Sequence, residues 1–156
     1  MNRRDLLQIA AGATVAHSAP GRKFFTPAEY ALADELTERI IPADGHSGGA
    51  RAARVAEYID LRLAESFGPE SRDTWRKGLQ HVDALSLEMH RAPFLKATQE
   101  QRISVLERMS NGDPFFAELK SRTIQAYYTS KIGIHDELGY LGNTYQRGDY
   151  SGFLPE

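Results

Sequence analysis

The sequence contains no cysteine, and that absence removes several classes of chemistry at once. Disulfides, thiolate ligation of zinc or iron–sulfur clusters, and haem attachment through C-x-x-C-H are all excluded. Charge of one sign is not in excess either. A formal charge of −2 and the lack of any Lys/Arg block leave no basic field for nucleic acid. Long apolar runs are missing as well. The stretch from Leu6 to Ala16 is diluted by Gln8, Gly12 and Thr14 and falls short of the about 20 residues that span a bilayer. Nor does any segment alternate apolar and polar residues well enough to be a strand.

What is present is ordinary for a soluble globular protein: 156 residues, 41% hydrophobic and 26% charged. Setting aside roughly 20 residues for a leader leaves one domain, long enough to bury about two-thirds of its unfolded surface.

The leader is read from MNRRDLLQIAAGATVAHSAPGRKFFTP. Arg3 and Arg4 stand just ahead of Leu6 and Leu7, and no acidic residue follows Asp5 until Glu29. This pattern predicts a twin-arginine export signal over residues 1–20, a route for proteins that cross the membrane already folded. The competing reading is an ordinary amphipathic first helix, which the paired arginines at the extreme N-terminus disfavour. Small residues at −3 and −1 fit both Ala16-His17-Ser18 and Thr14-Val15-Ala16, so the cleavage position stays open.

The mature region, 21–156, is punctuated by helix signals. In FFTPAEYALADELTERIIP, Thr26 is the expected N-cap, Pro27 the first helical residue and Glu29 the partner in a capping box. Leu32, Ala33, Leu36 and Ile40 form its apolar face, and Pro42 stops it. A Gly-rich loop, ADGHSGGA, follows. The second helix is expected over roughly 51–66, with Val55, Ile59 and Leu63 inward and Gly68-Pro69 as its end. The third is expected over about 71–90, with Trp75, Leu79, Val82, Leu85 and Met89 inward. Gly78, beside that stripe, is expected to admit a close neighbour. Thr98 and Gln101 make a second capping box before Ile103, Leu106 and Met109, and Asn111-Gly112 closes that helix. Asp113-Pro114 opens the last, with Phe116, Leu119, Thr123 and Tyr127 inward. The expected fold is all-α, an irregular bundle of about five helices.

The tail, 131–156, differs. It holds five of the thirteen glycines together with Tyr140, Tyr145, Tyr150 and Phe153, and no helical period. Aromatic residues carry a large burial gain, so an extended segment packed on the bundle or on another protein is expected, with those four residues as interface candidates.

Catalytic constellations are not apparent. None of the five histidines (His17, His46, His81, His90 and His135) forms an i, i+4 pair that would hold zinc on a helix. Asp44 with His46 is a two-ligand beginning, but loop capping explains both residues more simply. GHSGGA lacks the preceding strand and the Lys of a nucleotide-binding loop. Ser47 lacks the strand-to-helix turn of a nucleophile elbow. Asp34-Glu35 reads as a solvated helix face, and Tyr127-Tyr128 as packing rather than a ligand stack.

Taken in order, the twin-arginine leader, FFTPAEYALADELTERIIPAD, the Gly-Ala-rich loop, RVAEYIDLRL, and AYYTSKIG followed by ELGYLGN resemble the gluconate 2-dehydrogenase subunit 3 family from about Phe25 to Tyr145. The most specific elements are IIPAD, Val55-x-x-Tyr58-Ile59-Asp60, and YYTSKIG running into LGYLGN. The resemblance implies an accessory, non-catalytic subunit of a periplasmic, membrane-associated dehydrogenase. Its implied partners are an FAD-containing large subunit of the glucose-methanol-choline type and a multihaem cytochrome c. FAD and haem c would then sit in those partners, and this chain would supply the export signal. Without cysteine, association would be noncovalent. The alternative is a stand-alone exported helical ligand-binding protein or enzyme, which calls for a pocket with convergent polar groups inside this chain.

Overall fold

The computed structural model describes residues 23–142. They form α1 (Pro27–Ile40), α2 (Val55–Glu65), α3 (Pro69–His90), a 3₁₀ turn (Phe94–Lys96), α4 (Gln99–Ser110), α5 (Pro114–Tyr128) and a π-helical turn (Gly133–Glu137). Among the described residues there is no strand, and no helix is long and apolar enough to cross a membrane. The all-α expectation holds.

The caps are those the sequence announces. Glu29 N–H donates to the Thr26 hydroxyl at 3.2 Å, while Thr26 N–H donates to Glu29 Oε2 at 2.8 Å. Thr98 and Gln101 repeat the arrangement at 3.3 and 2.9 Å. Asp113 Oδ1 accepts from the N–H groups of Phe115 and Phe116 at 2.8 and 3.0 Å. Each cap satisfies donors that a helix N-terminus otherwise leaves bare, a contribution of about 1 kcal/mol.

α1 packs against α2, α3 and α5, and α3 packs against α4. Trp75, Tyr127, Phe94, Leu36, Leu79, Met109 and Leu119 are the largest wholly buried side chains. Each contributes roughly 1.5–3 kcal/mol by leaving water. The close neighbour expected at Gly78 is Phe115, whose ring lies where a Cβ on residue 78 would stand.

Several expectations are corrected. α2 begins at Val55 rather than Arg51, because Arg54 takes a left-handed φ of 57° that no continuing helix tolerates. Gly68-Pro69 is less a stop for α2 than a start for α3: Gly68 is the N-cap and Pro69 the first residue. Phe115, not Phe116, is the buried phenylalanine of α5, since it fills the Gly78 notch. Ile40 and Leu85 are only half-buried, and Thr37 and Ser86 take inward positions instead. Met89 and Ile103 are exposed. On α4 the Arg102 guanidinium turns toward the Phe94 and Leu95 carbonyls and Glu35. That rotation puts Val105 and Met109 inside and Ile103 outside. The tail also begins differently. Its first residues are helical, closing a π turn in which Leu138 N–H donates to the Gly133 carbonyl at 3.2 Å.

Candidate functional site

The bridging polar side chains of the described residues form three clusters, on Asp60, on the loop between α1 and α2, and on Glu35. Asp60 follows Ile59 on the inward side of α2 and is only 2% exposed. Its Oδ1 accepts the N–H groups of Phe24 and Phe25 at 3.0 and 2.6 Å, and its Oδ2 accepts that of Lys23 at 2.6 Å. A carboxylate survives burial only when its oxygens are engaged in this way. The bond to Phe25 seats that ring against Trp75, with ring centres 5.9 Å apart, and Arg76 lies 4.7 Å over Phe24. Asp60 therefore fixes the chain as it enters α1.

The loop from α1 to α2 is held from both sides. Glu38 reaches forward to accept the N–H groups of Ala43 and Arg51 at 3.2 and 2.7 Å. Gly49 sits so close to this carboxylate and to the Ala43 nitrogen that a Cβ would overlap them. From α5, the buried Tyr127 hydroxyl donates to the Gly48 carbonyl at 2.8 Å and lies 2.9 Å from Ser47 Oγ. Ser47 Oγ donates to Glu137 Oε2 at 2.8 Å, which joins the loop to the π turn. Gly133 rests on the Tyr127 carbonyl, where no Cβ fits. Within the loop, Asp44 Oδ1 accepts from the N–H groups of Ser47 and His46 at 2.9 and 2.8 Å. Those bonds hold the Asp44 carboxyl below its usual range.

A third cluster is built on Glu35. Its side chain is 13% exposed and meets Arg39, Arg51 and Arg102 at 2.8, 2.9 and 2.7 Å. Burial raises the carboxyl pKa, but the three guanidinium bonds together outweigh it and leave the group below its ordinary value. The solvated face expected for Asp34-Glu35 is thus corrected. Asp34 also binds Arg51 at 2.6 Å, and the pair ties α1 to the loop and to α4.

Chemically, these groups are engaged as fasteners. Ser47 has a carboxylate and a phenol beside it, and among the described residues no histidine hydrogen-bonds it. His81 Nε2 lies 2.9 Å from Asp113, His90 is 2.8 Å from Ser104 Oγ, and His135 Nδ1 is 2.7 Å from the Tyr140 carbonyl. Among the described residues no group of three or more His, Asp or Glu side chains is placed to hold a metal ion. Tyr127 is buried and Tyr128 half-exposed, with their rings edge-on at 5.3 Å. Tyr140 is 46% exposed, beside Leu138 at 62% and Leu141 at 94%. Arg3, Arg4, Leu6, Leu7, Tyr145, Tyr150 and Phe153 lie outside the described residues.

Sequence reasoning did not single out the roles of Glu35, Glu38 and Asp60. For Asp60 a signal existed. It lies four residues after Ala56 and three before Leu63, on the apolar side of an amphipathic helix, where a carboxylate needs a reason.

A family model described as gluconate 2-dehydrogenase subunit 3 matches residues 27–145. No curated protein and no solved structure matches the chain.

Proposed function

Because the chain belongs to the gluconate 2-dehydrogenase subunit 3 family, we propose that it is the non-catalytic small subunit of a periplasmic, membrane-associated, FAD-dependent sugar or sugar-acid dehydrogenase. Its role is to carry the twin-arginine signal and to support export, maturation and stability of the flavoprotein. The partners are a glucose-methanol-choline-type large subunit that holds FAD and, where electrons pass on to quinone, a multihaem cytochrome c.

The observation that carries this reading is the anchoring of Lys23, Phe24 and Phe25 by Asp60. Lys23 stands three positions beyond the end of the stretch read as the leader, residues 1–20. Fastening Lys23, Phe24 and Phe25 to a buried carboxylate means that the folded domain begins close behind the stretch read as the signal, which suits a route that accepts folded cargo. The saturated carboxylates of Glu35, Glu38 and Asp60 fit a structural rather than an acid–base use. For the flavoprotein interface, the exposed Leu138, Tyr140 and Leu141 support the tail reading, with Tyr145, Tyr150 and Phe153 extending it.

Replacing Arg3 and Arg4 together by Lys should leave both this chain and its flavoprotein in the cytoplasm. Fractionation that still finds the flavoprotein in the periplasm would reject the escort role.

A further inference from the structure

A groove runs along α1, between that helix and residues 93–110. Ala28, Leu32, Glu35 and Arg39 share the face of α1 that borders it, at i, i+4, i+7 and i+11. At one end lies an apolar hole of about 270 Å³, walled by Leu32, Leu79, Pro93 and Leu95. At the other lies a second, of about 300 Å³, walled by Ile40, Ile103, Leu106 and Phe116. Between them Arg102 crosses to Glu35 at 2.7 Å and forms a saddle. Leu32 and Ile40 stand eight residues apart on the helix, which sets the holes about 12 Å from each other. Leu95 and Ile103 are 38% and 42% exposed, so both holes open to the surface.

A groove of this form fits a helix with large apolar residues two turns apart and a small residue between them. The leader of this chain has that pattern. Leu7, Ala11 and Val15 repeat every four residues, large, small and large. At helical rise the outer two are also about 12 Å apart. The charges match as well. Glu107 and Lys120 line the Ile103 hole and make no ion pair among the described residues, whereas Arg39 beside them is taken by Glu35. Just ahead of Leu7 the leader carries Arg3, Arg4 and Asp5, charges of both signs to answer them.

The connection is short enough. Phe24 lies under Arg76, which reaches Glu29 on the wall of the Leu32 hole at 3.8 Å. The chain therefore joins the domain at that end of the groove. Residues 16–22 separate Val15 from Lys23 and reach up to roughly 25 Å when extended, enough to return Val15 to the first turn of α1.

We propose that residues 3–16 of this chain dock in the groove, with Val15 in the Leu32 hole, Ala11 over the saddle, Leu7 in the Ile103 hole and Arg3 beside Glu107. Docked there, the apolar face of the leader is withheld from a membrane or a receptor. The contact is then a hold on export that opens before transport. That consequence rests on the export reading; the contact itself does not.

The chain has no cysteine, so two introduced thiols are the only pair that oxidation can join. Full-length Leu7→Cys with Ile103→Cys is purified from the cytoplasm, its leader confirmed by mass, and oxidised at low protein concentration. The control pairs Leu7→Cys with Phe67→Cys, on the fully exposed turn between α2 and α3. The intramolecular disulfide should form about tenfold or more faster with Ile103→Cys, because docking raises the effective concentration of one thiol at the other. Adding Val15→Asp, a change outside the folded domain, should bring that rate down toward the control while leaving the circular dichroism unchanged. Equal rates for the two pairs, or a rate indifferent to Val15→Asp, would overturn the docking. Disulfide-linked dimers in place of the internal link would give the groove to a second copy and overturn it too. The crosslink is read in vitro, so its outcome is separate from the fractionation that tests export.

Discussion

The ring of Phe115 occupies the space that a Cβ on Gly78 would need. The same ring stands edge-on to Trp75, with centres 5.4 Å apart, so the notch joins α3 to α5 at the centre of the core. Gly78→Ala should gain up to about 1 kcal/mol of helix propensity. It should lose more to overpacking, roughly 1–3 kcal/mol. Urea unfolding should show a net loss of stability, partly restored when Phe115→Leu is added. A more stable Gly78→Ala variant would mean that the two helices separate freely, against the close packing seen here.

Asp60→Asn should destabilise the domain by roughly 3 kcal/mol, because bonds to a charged acceptor contribute about 1.5–3 kcal/mol and the amide presents a donor to a backbone N–H. The stretch Lys23–Phe25 should also become accessible to protease before the helices do, since Asp60 accepts all three of its N–H groups. Proteolysis of both proteins at low temperature, read by mass spectrometry, checks this. An unchanged cleavage pattern would show that aromatic packing alone fixes the segment.

Glu35 makes stability depend on pH in a stated direction. Its folded pKa is depressed by Arg39, Arg102 and Arg51 despite the opposing effect of burial. Its contribution is therefore fully present above the unfolded value, about 4.3, and is lost as pH falls through the lower folded value. Asp44, held low by the N–H groups of Ser47 and His46, acts in the same sense. Glu35→Gln should melt below the wild type at neutral pH, and the gap should begin to close as pH falls toward about 4.3. Melting temperatures of both proteins across the acid range decide it. A gap that stays constant would assign the loss to packing rather than charge.

The helices were legible because their signals are local. Thr26, Thr98 and Asp113 announce starts through side chains that act within a few residues, and Val55, Ile59 and Leu63 repeat at helical spacing. What escaped the sequence depends on distant partners. Arg102 is drawn inward by the Phe94 and Leu95 carbonyls and by Glu35, which lies 67 positions away, and that rotation exposes Ile103. The bond from Ser47 to Glu137 spans 90 positions, so no window along the chain could pair them. Gly78 marks the boundary between the two cases. Its place beside an apolar stripe pointed to a neighbour, yet only the fold identifies Phe115.

Shortening the tail tests the interface and must be done at a chosen bond. Tyr140 N–H donates to the Ile134 carbonyl at 3.1 Å, and His135 Nδ1 lies 2.7 Å from the Tyr140 carbonyl. A cut after Gly139 would remove these contacts and disturb the π turn that holds Ser47 through Glu137. A cut after Gly142 keeps them and deletes Tyr145, Tyr150 and Phe153. If those aromatics anchor the flavoprotein, the shortened chain should keep its helical circular dichroism and its melting temperature within a few degrees. Its affinity for the flavoprotein should nonetheless fall by tenfold or more, because loss of one aromatic anchor typically costs about 2 kcal/mol. A large fall in melting temperature would instead place the tail in the bundle's own core. A stable truncation that copurifies with the flavoprotein at undiminished affinity would remove Tyr145, Tyr150 and Phe153 from the interface and leave Leu138, Tyr140 and Leu141 as its remaining apolar candidates on this side of the domain.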